Sequence, residues 1–572
     1  MGVMDSIRRK LNKENLLQLK QELLWLLGTM SRYRGAIAIV SLLSLAGSVM
    51  GLASSVASKY LVDAVTGYGT QIIGSAALIM VCMMLGSVVL QAFSSWVGAR
   101  VNIRVRNGMQ LRTYGKILRA SWQSLEAYRS GDLLNRLNSD INAVSGSVIS
   151  FLPSLLASGA KFLGAFLIML FYDPVMALIA MMAAPLTLVL SALLVSRLRR
   201  HNLIMKELGS EVMSFQEESF WNLTSIKAFS AVDRYESEMD RIQQTYADAY
   251  LGYNTFRISM SSLLSLLSMG VTAGCFGWGV YQLWQGNITY GSMTMFLQLS
   301  SVLRGSFSSL VSLAQQIISV ATSAGRIAAV EDLPSENTRI PEGFSREADF
   351  RICLQNILFR YQDGDTLLNS FDFTALPGDQ IAVIGPSGEG KTTLLRLLLG
   401  LVEPCEGTAE LQGSSGRSYP ICAGTRSVFA YVPQGNSIFT GTIAQNLRIV
   451  SPDATEEEME QALKTACAWD FVSQFPDGIH HHLGAGGRGV SEGQAQRLAI
   501  ARALLCKAPI LLLDEATSGL DVATERKLIE NLRKSGLVRT CILVTHRPGS
   551  TEFCTRTYEV SHGNVTEVRY GA

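Results

Sequence analysis

The chain has 572 residues, too many for one hydrophobic core, so several domains are expected. It is 48% hydrophobic and 17% charged, its formal net charge is +2, and no basic cluster is interleaved with aromatic residues, so nucleic acid is not an expected partner. The nine cysteines show no paired or C-x-x-C spacing, which disfavours a disulfide framework and a zinc site.

Residues 1–30 are predicted to form an amphipathic elbow helix. Leucines recur among Lys, Glu and Gln over residues 12–29, as in a helix that lies at a membrane interface. A helix packed on other protein has the same pattern, so the sequence leaves both interpretations open.

Six long apolar segments predict membrane-spanning helices within residues 31–331. Each has about the 20 residues that cross about 30 Å of hydrocarbon, and buried soluble helices rarely run so long without charge. The predicted spans are residues 35–57, 72–98, 148–171, 174–196, 258–284 and 290–322.

Basic residues predict the orientation of these spans. They concentrate after the second and fourth spans, whereas the opposite turns contain none, which places the basic connections, both termini and the C-terminal domain in the cytosol. The protein is therefore expected to be a multi-pass protein of the cytoplasmic (plasma or inner) membrane. The two basic connections are long and helical in spacing, so the helices should extend beyond the bilayer, with a break at Ser130-Gly131-Asp132 that is expected to press against a cytosolic domain. The basic residues are Arg100, Arg104, Arg106, Arg112, Lys116 and Arg119, then Arg197, Arg199, Arg200 and Lys206.

Two further basic residues, Lys161 and Arg304, lie deep inside the third and sixth spans. A charge at this depth usually faces a water-filled cavity or a partner. Because the span interiors show almost no acidic residues, we predict that both side chains contact an anionic group of a substrate. The alternative is snorkelling, or pairing with backbone carbonyls and with glutamines such as Gln298.

A polar linker at residues 332–348 precedes an α/β domain at residues 349–572, in which strand-like runs alternate with helical patterns as in a covered parallel sheet. Its stretch 385–392 has the spacing G-x-x-x-x-G-K-[ST] between an apolar run and a leucine-rich helix. This spacing brings backbone N–H groups around a phosphate at a helix N-terminus, with Lys391 reaching the outer phosphates and Thr392 offering a hydroxyl to Mg²⁺. The residues predicted to bind the nucleotide are Gly385, Ser387, Gly388, Gly390, Lys391, Thr392 and Thr393.

Charged side chains follow two buried strand-like runs of this domain. Asp514 and Glu515 come directly after residues 510–513, at the end of a strand where sheet ligands gather. Asp514 is predicted to hold Mg²⁺ and Glu515 to polarise the attacking water. His546 follows residues 541–544 and can reach a γ-phosphate, although a histidine in such a turn is more often structural.

The order of these motifs resembles the nucleotide-binding domain of ATP-binding cassette (ABC) transporters. With six preceding spans on the same chain, the resemblance is to an exporter half-transporter and covers nearly the whole chain. The fold that it implies is an α-helical membrane domain of six helices with long intracellular extensions, fused to an α/β P-loop NTPase domain of ABC type. The matching motifs are the loop 385–392, Tyr431-Val432-Pro433-Gln434, Val490-Ser491-Glu492-Gly493-Gln494, Asp514-Glu515-Ala516-Thr517, Ser518-Gly519-Leu520-Asp521 and His546.

The resemblance also implies site roles, with ATP and Mg²⁺ as ligands. Tyr361 would stack on adenine, unless it is a strand aromatic packed in the core, and Gln434 would touch Mg²⁺ and the attacking water. Ser491, Gly493 and Gln494 would contact the γ-phosphate across a dimer, and Asp521 would also belong to the nucleotide-binding residues.

The signature motif departs from the usual L-S-G-G-Q at two positions, Val490 and Glu492. A carboxylate beside a phosphate is unfavourable unless it turns away. Because Glu515 and His546 are both present, we favour a homodimer over pairing with a related half-transporter.

The predicted function is ATP-driven export of a peptide, lipid or amphiphilic small molecule across the cytoplasmic membrane. Transport would proceed by alternating access, with ATP hydrolysis at the interface of two cassettes in the lipid bilayer. One alternative is a lipid or oligosaccharide flippase. Another is an ATP-gated channel or a regulatory membrane subunit, which Glu515 and His546 disfavour.

Overall fold

The structure is a computed structural model. It describes residues 25–26, 28–67, 73–128, 130–347, 349–361, 364, 366–435, 437–484, 487–536, 538–547, 551–552 and 554–568. For residues 183–200 it describes the backbone alone. Most of the predicted N-terminal elbow helix therefore lies outside the described residues.

The chain divides into two compact units, each described by itself. The helical unit comprises residues 1–114 and 131–331, and the sheet unit comprises residues 115–130 and 332–572. The sheet unit thus includes the segment 115–130, which the sequence places inside the first intracellular connection.

Six long helices of the described residues carry the six predicted spans. Their lengths agree with the expectation that several continue well beyond a bilayer, since the longest has 53 residues, or about 80 Å. The helices are α1 Arg34–Val65, α2 Ile73–Arg119, α5 Ile141–Tyr172, α6 Pro174–Trp221, α8 Val232–Trp284 and α9 Tyr290–Glu331. Within the described residues, Arg34–Val65, Ile73–Arg119 and Gly131–Tyr172 are long and apolar enough to cross a membrane.

Short elements interrupt the long helices in both connections, whereas the sequence predicts only the break at Ser130-Gly131-Asp132. The first connection contains α3 Trp122–Leu125, α4 Ser130–Asn135 and a π-helical turn, Arg136–Asp140, and the second contains α7 Leu223–Ala228. Asp132 of α4 receives hydrogen bonds from Arg136 at 2.9 Å and from Arg326 of α9 at 2.6 Å. The break in the first connection is therefore tied to α9.

Apolar packing inside the helical unit joins α1, α5 and α9 to one another, and α6 to α8. Asp173 fixes the sharp turn between α5 and α6, because its carboxylate accepts hydrogen bonds from the backbone N–H groups of Val175 and Met176. The same carboxylate accepts a hydrogen bond from the Trp278 indole at 3.1 Å. A buried acidic residue here therefore serves the turn between two spans.

The sheet unit contains a four-stranded antiparallel sheet and a six-stranded, mostly parallel sheet. The first has the order β2-β1-β4-β5 and the second β12-β11-β3-β10-β9-β6. A third sheet pairs β7 with β8. The strands are β1 Phe350–Arg360, β2 Thr366–Ala375, β3 Gln380–Ile384, β4 Glu406–Gly413, β5 Ser418–Pro420, β6 Phe429–Val432, β7 Gly441–Thr442, β8 His482–Leu483, β9 Ile510–Asp514, β10 Thr540–Val544, β11 Arg556–Ser561 and β12 Asn564–Val568.

Helices complete the sheet unit. They are α10 Lys391–Leu398, α11 Ile443–Arg448, α12 Glu456–Thr465, α13 Trp469–Val472, α14 Glu492–Leu505 and α15 Val522–Ser535. Every residue of β9 and of β10 is buried, as expected for central parallel strands covered on both faces. The predicted fold class, six long helices fused to an α/β domain, is confirmed.

Candidate nucleotide site

Four neighbouring strands of the six-stranded sheet end at one edge. β3, β10, β9 and β6 are parallel, so the segments that follow them meet there. β3 leads into Gly385, β10 into His546, β9 into Glu515 and β6 into Gln434. The strand register therefore gathers residues that are up to 161 positions apart in sequence, from Gly385 to His546.

The loop after β3 has the backbone of a phosphate-binding turn. Gly385 and Gly390 have φ values of 146° and 104°, a region that disfavours side chains. A Cβ at Gly385 would lie 2.0 Å from the carbonyl oxygen of Val560 in β11. Ser387 and Gly388 are exposed between them, and α10 begins at Lys391. The loop thus presents N–H groups at a helix start, where an anion binds favourably.

Lys391 is buried at the centre of this loop. Its ammonium donates hydrogen bonds to the carbonyls of Gly385 at 2.9 Å and Pro386 at 2.6 Å. Burial lowers the pKa of Lys391, and the nearby Glu515 and Asp514 carboxylates partly oppose that effect. An entering phosphate would supply the full negative charge that favours the ammonium form.

Asp514 is held on both of its carboxylate oxygens. Thr392 donates to Oδ1 at 3.3 Å, and Tyr431 donates to Oδ2 at 3.2 Å. Burial raises the pKa of Asp514, and these two hydrogen bonds lower it. The Thr392 hydroxyl and the Asp514 carboxylate are the hard oxygen donors that Mg²⁺ prefers, with waters and phosphates as its remaining ligands. Within the described residues, no group of three or more His, Cys, Asp or Glu could hold a metal by itself.

Glu515 connects the other two predicted catalytic residues. Its Oε2 accepts a hydrogen bond from the Gln434 amide at 2.8 Å, and its Oε1 lies 2.8 Å from Nε2 of His546. The backbone of Glu515 has φ of 50°, an uncommon conformation for a non-glycine residue that occurs often at functional sites. Two residues predicted from separate motifs, Gln434 and His546, therefore contact the carboxylate of a third, Glu515.

Tyr361 lies at the end of β1, half-buried, with its ring edge-on to Phe359 at 4.9 Å. Its hydroxyl is 3.2 Å from Oγ1 of Thr393 and accepts a hydrogen bond from Arg396 at 2.9 Å. The ring therefore packs on a core strand while the hydroxyl reaches the helix of the phosphate loop, and stacking on adenine stays a prediction.

Arg396 is a residue of this site that the motifs do not identify. Beyond Tyr361, its guanidinium donates to Glu126 at 3.2 Å and lies 5.5 Å from the ring centre of Trp122, both in the segment 115–130. Arg396 follows Thr393 by three residues and so lies on the same face of α10. This helical spacing is the pattern by which the sequence could have identified Arg396 as a residue of the site. No comparable sequence pattern identifies its partners Trp122 and Glu126 in segment 115–130.

The signature motif forms the N-terminus of α14. Ser491 caps the helix: its Oγ accepts from the N–H of Gln494 at 3.3 Å, and the Gln494 side chain accepts from the N–H of Ser491 at 2.8 Å. A Cβ at Gly493 would lie 2.5 Å from the carbonyl oxygen of Gly519. The signature helix therefore packs directly against the turn 518–521.

That turn is fixed by Asp521 and by Arg547. Asp521 caps α15, since its carboxylate accepts from the N–H of Thr524 at 2.9 Å. The hydrogen bond that the Thr524 hydroxyl donates at 2.6 Å, followed by this backbone bond, lowers the pKa of Asp521. Arg547 donates to the carbonyls of Ser518 at 2.6 Å and Leu520 at 2.7 Å. Arg547 was not predicted, although it directly follows His546, because its partners become neighbours through the fold alone.

Lys161 and Arg304 are not brought together. Lys161 lines a cavity of the helical unit that Arg304 does not line. Arg304 is within 3.4 Å of the Thr272 hydroxyl on α8. Gln298, the alternative partner considered for the two basic residues, accepts a hydrogen bond from Ser58 at 3.3 Å.

Two family models match the chain in the expected order. One, described as ABC transporter transmembrane region, matches residues 37–307, and the other, described as ABC transporter, matches residues 368–518. Among curated proteins, an ATP-dependent lipid A-core flippase of Xylella fastidiosa (strain 9a5c) is 30% identical over 444 residues, which cover 76% of this chain and 74% of that protein.

Two further relatives cover more of the chain. The mitochondrial potassium channel ATP-binding subunit of Xenopus tropicalis is 28% identical over 527 residues, 91% of this chain and 76% of that protein. A solved structure of a bacterial Atm1-family ABC exporter with ATP bound superposes with a TM-score of 0.79, at 23% identity, and covers 94% of each chain. That superposition supports the fold of both units.

Proposed function

The chain belongs to the ABC transporter family, and from that premise we propose that it is an ATP-driven exporter that works as a dimer of two identical chains. It is a multi-pass membrane protein with an ATPase domain. We propose further that the membrane is the cytoplasmic one and that the sheet unit lies in the cytosol, because the Lys and Arg residues concentrate in the connections on that side.

One observation carries the proposal of ATP hydrolysis: the Glu515 carboxylate lies between Gln434 and His546, each at 2.8 Å, at the sheet edge that also bears the phosphate loop. A carboxylate so placed can accept a proton from, and orient, a water that attacks a γ-phosphate. His546 can donate to the phosphate oxygens, and Gln434 can orient the water. Lys391 and the loop N–H groups hold the phosphates.

Mg²⁺ is the proposed companion of ATP at this site. The Thr392 hydroxyl and the Asp514 carboxylate would hold it, with the Gln434 side chain nearby. A bound Mg²⁺ neutralises phosphate charge during transfer. Tyr361 would stack on the adenine through the open face of its half-buried ring.

A dimer is proposed because one chain carries one phosphate loop and one signature helix, and in this family each ATP lies between the loop of one chain and the signature of the other. The helical unit also leaves apolar surface for a partner. Around α7, at the end of the paired helices α6 and α8, Trp221 and Phe229 are each 82% exposed. We propose that the second copy covers these side chains.

The test is ATP turnover by the purified full-length chain in vesicles that contain no other protein. Wild type should hydrolyse Mg²⁺–ATP, and Glu515→Gln should bind ATP but lose at least about 100-fold in rate. The matched control is Glu530→Gln, the same chemical change at an exposed carboxylate of α15, which should turn over normally. Absence of turnover by wild type alone would refute the homodimer, and normal turnover by Glu515→Gln would refute the role given to Glu515.

Two other functions have a specific observation in their favour. The flippase relative favours lipid as cargo, and movement of a fluorescent lipid between leaflets that requires ATP would establish it. The potassium channel subunit relative favours a channel role, and ion conductance that depends on ATP binding but survives in Glu515→Gln would establish that instead.

A further inference from the structure

A cavity of the helical unit surrounds Lys161, and we propose that it binds a carboxylate or phosphate group of the transported substrate. The cavity has a volume of about 300 Å³ and is formed by α1, α2, α5 and α9. The inference rests on the proposed export function, because it names the class of substrate. The polar side chains that line the cavity are Ser48, Gln91, Ser158, Lys161, Ser306 and Ser309.

Lys161 lies deep in its span. It stands 11 residues before the end of α5 at Tyr172, which is about 16 Å along the helix axis and near the middle of about 30 Å of hydrocarbon. An ammonium at this depth is costly unless a counter-charge or polar partners surround it. A lysine that simply extends its side chain to the interface would need to lie closer to a span end.

The predicted spans supply no negative charge for this ammonium. None of the six predicted spans contains Asp or Glu, so a second copy of the chain would bring none to the cavity either. Among the described residues, no hydrogen bond or ion pair joins Lys161 to another side chain. The acidic residues nearest the spans, Asp63 and Asp173, serve the helix turns at Gly291 and Val175.

The serine hydroxyls define what else the ligand must carry. Ser48, Ser306 and Ser309 each donate their hydroxyl hydrogen to a backbone carbonyl of their own helix, at 2.7 to 2.9 Å. Their oxygens can therefore accept but not donate, whereas the Gln91 amide can do both. The cavity accordingly fits an anionic group that also bears hydroxyl or amide donors.

The volume limits the size of this group. About 300 Å³ is at the lower end of small-molecule sites, so the cavity admits a head group or a short side chain rather than a whole amphiphile. The exposed face of α2, which includes Leu85, Val88 and Val89 near Gln91, is apolar. A lipid phosphate and the carboxylate of a soluble molecule share the required chemistry, and experiment can separate them.

The experiment measures binding to the full-length chain in phosphatidylcholine nanodiscs without ATP. The lipid probe is phosphatidylglycerol, which carries a phosphate and hydroxyl donors, and its retention relative to phosphatidylcholine is read by native mass spectrometry. The soluble probe is N-acetylglycine, compared with its neutral amide by calorimetric titration. Whichever anionic probe binds identifies the source of the anionic group.

Lys161→Gln should weaken binding of that probe roughly 10- to 100-fold, as expected for loss of one charged hydrogen bond, and Lys161→Arg should restore most of it. Ser158→Val, which narrows the cavity without changing charge, should also weaken binding and covers the case in which Lys161→Gln fails to fold. Arg304→Gln removes the same charge outside the cavity and should change affinity less than about threefold.

Three results would each overturn the assignment: equal binding of the anionic and neutral probes by wild type, wild-type affinity in both Lys161→Gln and Ser158→Val, or an equal loss in Arg304→Gln. The last would indicate a general effect of positive charge rather than a site. Because binding is measured without nucleotide, loss of ATP turnover would refute the export function without altering these outcomes.

Discussion

Replacing Arg396 should raise the KM for ATP, because this side chain holds Tyr361 in place. Arg396→Leu removes a hydrogen bond from a cationic donor to the Tyr361 hydroxyl, worth about 1.5 kcal/mol. It also removes a half-exposed ion pair with Glu126 and a contact with the Trp122 ring, worth about 0.5 kcal/mol each. Because these contributions share one guanidinium, about 2.5 kcal/mol is an upper limit for the total.

The effect on nucleotide binding is smaller than this total. If a displaced Tyr361 forfeits about 1 kcal/mol of stacking on adenine, the KM for ATP rises about fivefold. Steady-state ATPase rates of the reconstituted chain over a range of ATP concentrations give this value. Arg533→Leu, the same change at an exposed arginine of α15, is the matched control and should leave the KM unchanged.

A double-mutant cycle separates positioning from simple loss of charge. Tyr361→Phe keeps the ring but removes the hydroxyl that Arg396 contacts, so Arg396→Leu and Tyr361→Phe act on one hydrogen bond. The double variant should then have a KM no higher than the worse single variant. Additive increases, or a wild-type KM in Arg396→Leu, would refute the positioning role.

Three further changes test other contacts of the sheet unit. Asp514→Asn should abolish turnover yet raise the melting temperature by a few degrees at about pH 7. Because burial raises the pKa of Asp514 in the folded chain, the wild type loses stability as the pH rises from the ordinary pKa of an aspartate to this raised pKa. The gain in melting temperature should therefore vanish at about pH 4, and an equal gain at both pH values would contradict this reason. Arg547→Lys cannot bridge the carbonyls of Ser518 and Leu520, so kcat should fall about tenfold with little change in the KM for ATP, and a change in KM alone would count against it. Gly493→Ala places a Cβ 2.5 Å from the Gly519 carbonyl oxygen and should lower the ATPase rate about 100-fold, whereas Gly364→Ala, with its nearest neighbour at 3.6 Å, should not.

The sequence predicts most of the fold because the patterns that indicate it, such as the long apolar segments, are continuous stretches of the chain. Within the described residues, each predicted span lies in one helix, since apolar length is a property of a continuous segment. The sequence predicts the helical extensions beyond the spans less well, and the segment 115–130 illustrates the reason. Its contacts with the sheet unit include those of Trp122 and Glu126 with Arg396 of α10, a pairing across about 270 residues that no local pattern records.

The same distinction applies to the candidate site. Glu515 and His546 could be predicted because each comes within two residues of a strand end, and parallel strands bring their ends to one edge. Gln434 is predicted from the family resemblance alone. Tyr431 contacts Asp514, Arg396 contacts Tyr361 and Arg547 contacts the turn 518–521. Such side-chain contacts follow from packing rather than from spacing. The prediction that Lys161 and Arg304 both contact the substrate rests on their depth and on the scarcity of acidic residues in the spans. Neither observation records that Lys161 lines the cavity while Arg304 lies within 3.4 Å of the Thr272 hydroxyl.

The signature helix shows how one motif serves both the fold and a ligand. In the single chain, Ser491 and Gln494 satisfy each other through their acceptor oxygens. Among the described residues, no acceptor receives the Ser491 hydroxyl hydrogen or the Gln494 amide hydrogens. These donors therefore remain available for a phosphate at the positive end of the helix. Glu492 acts in the opposite sense: its carboxylate favours the helix N-terminus but repels a phosphate. In the proposed dimer, the capping pair would present these donors to the phosphate of the second chain, and the exposed Glu492 would have to turn away when the two chains close.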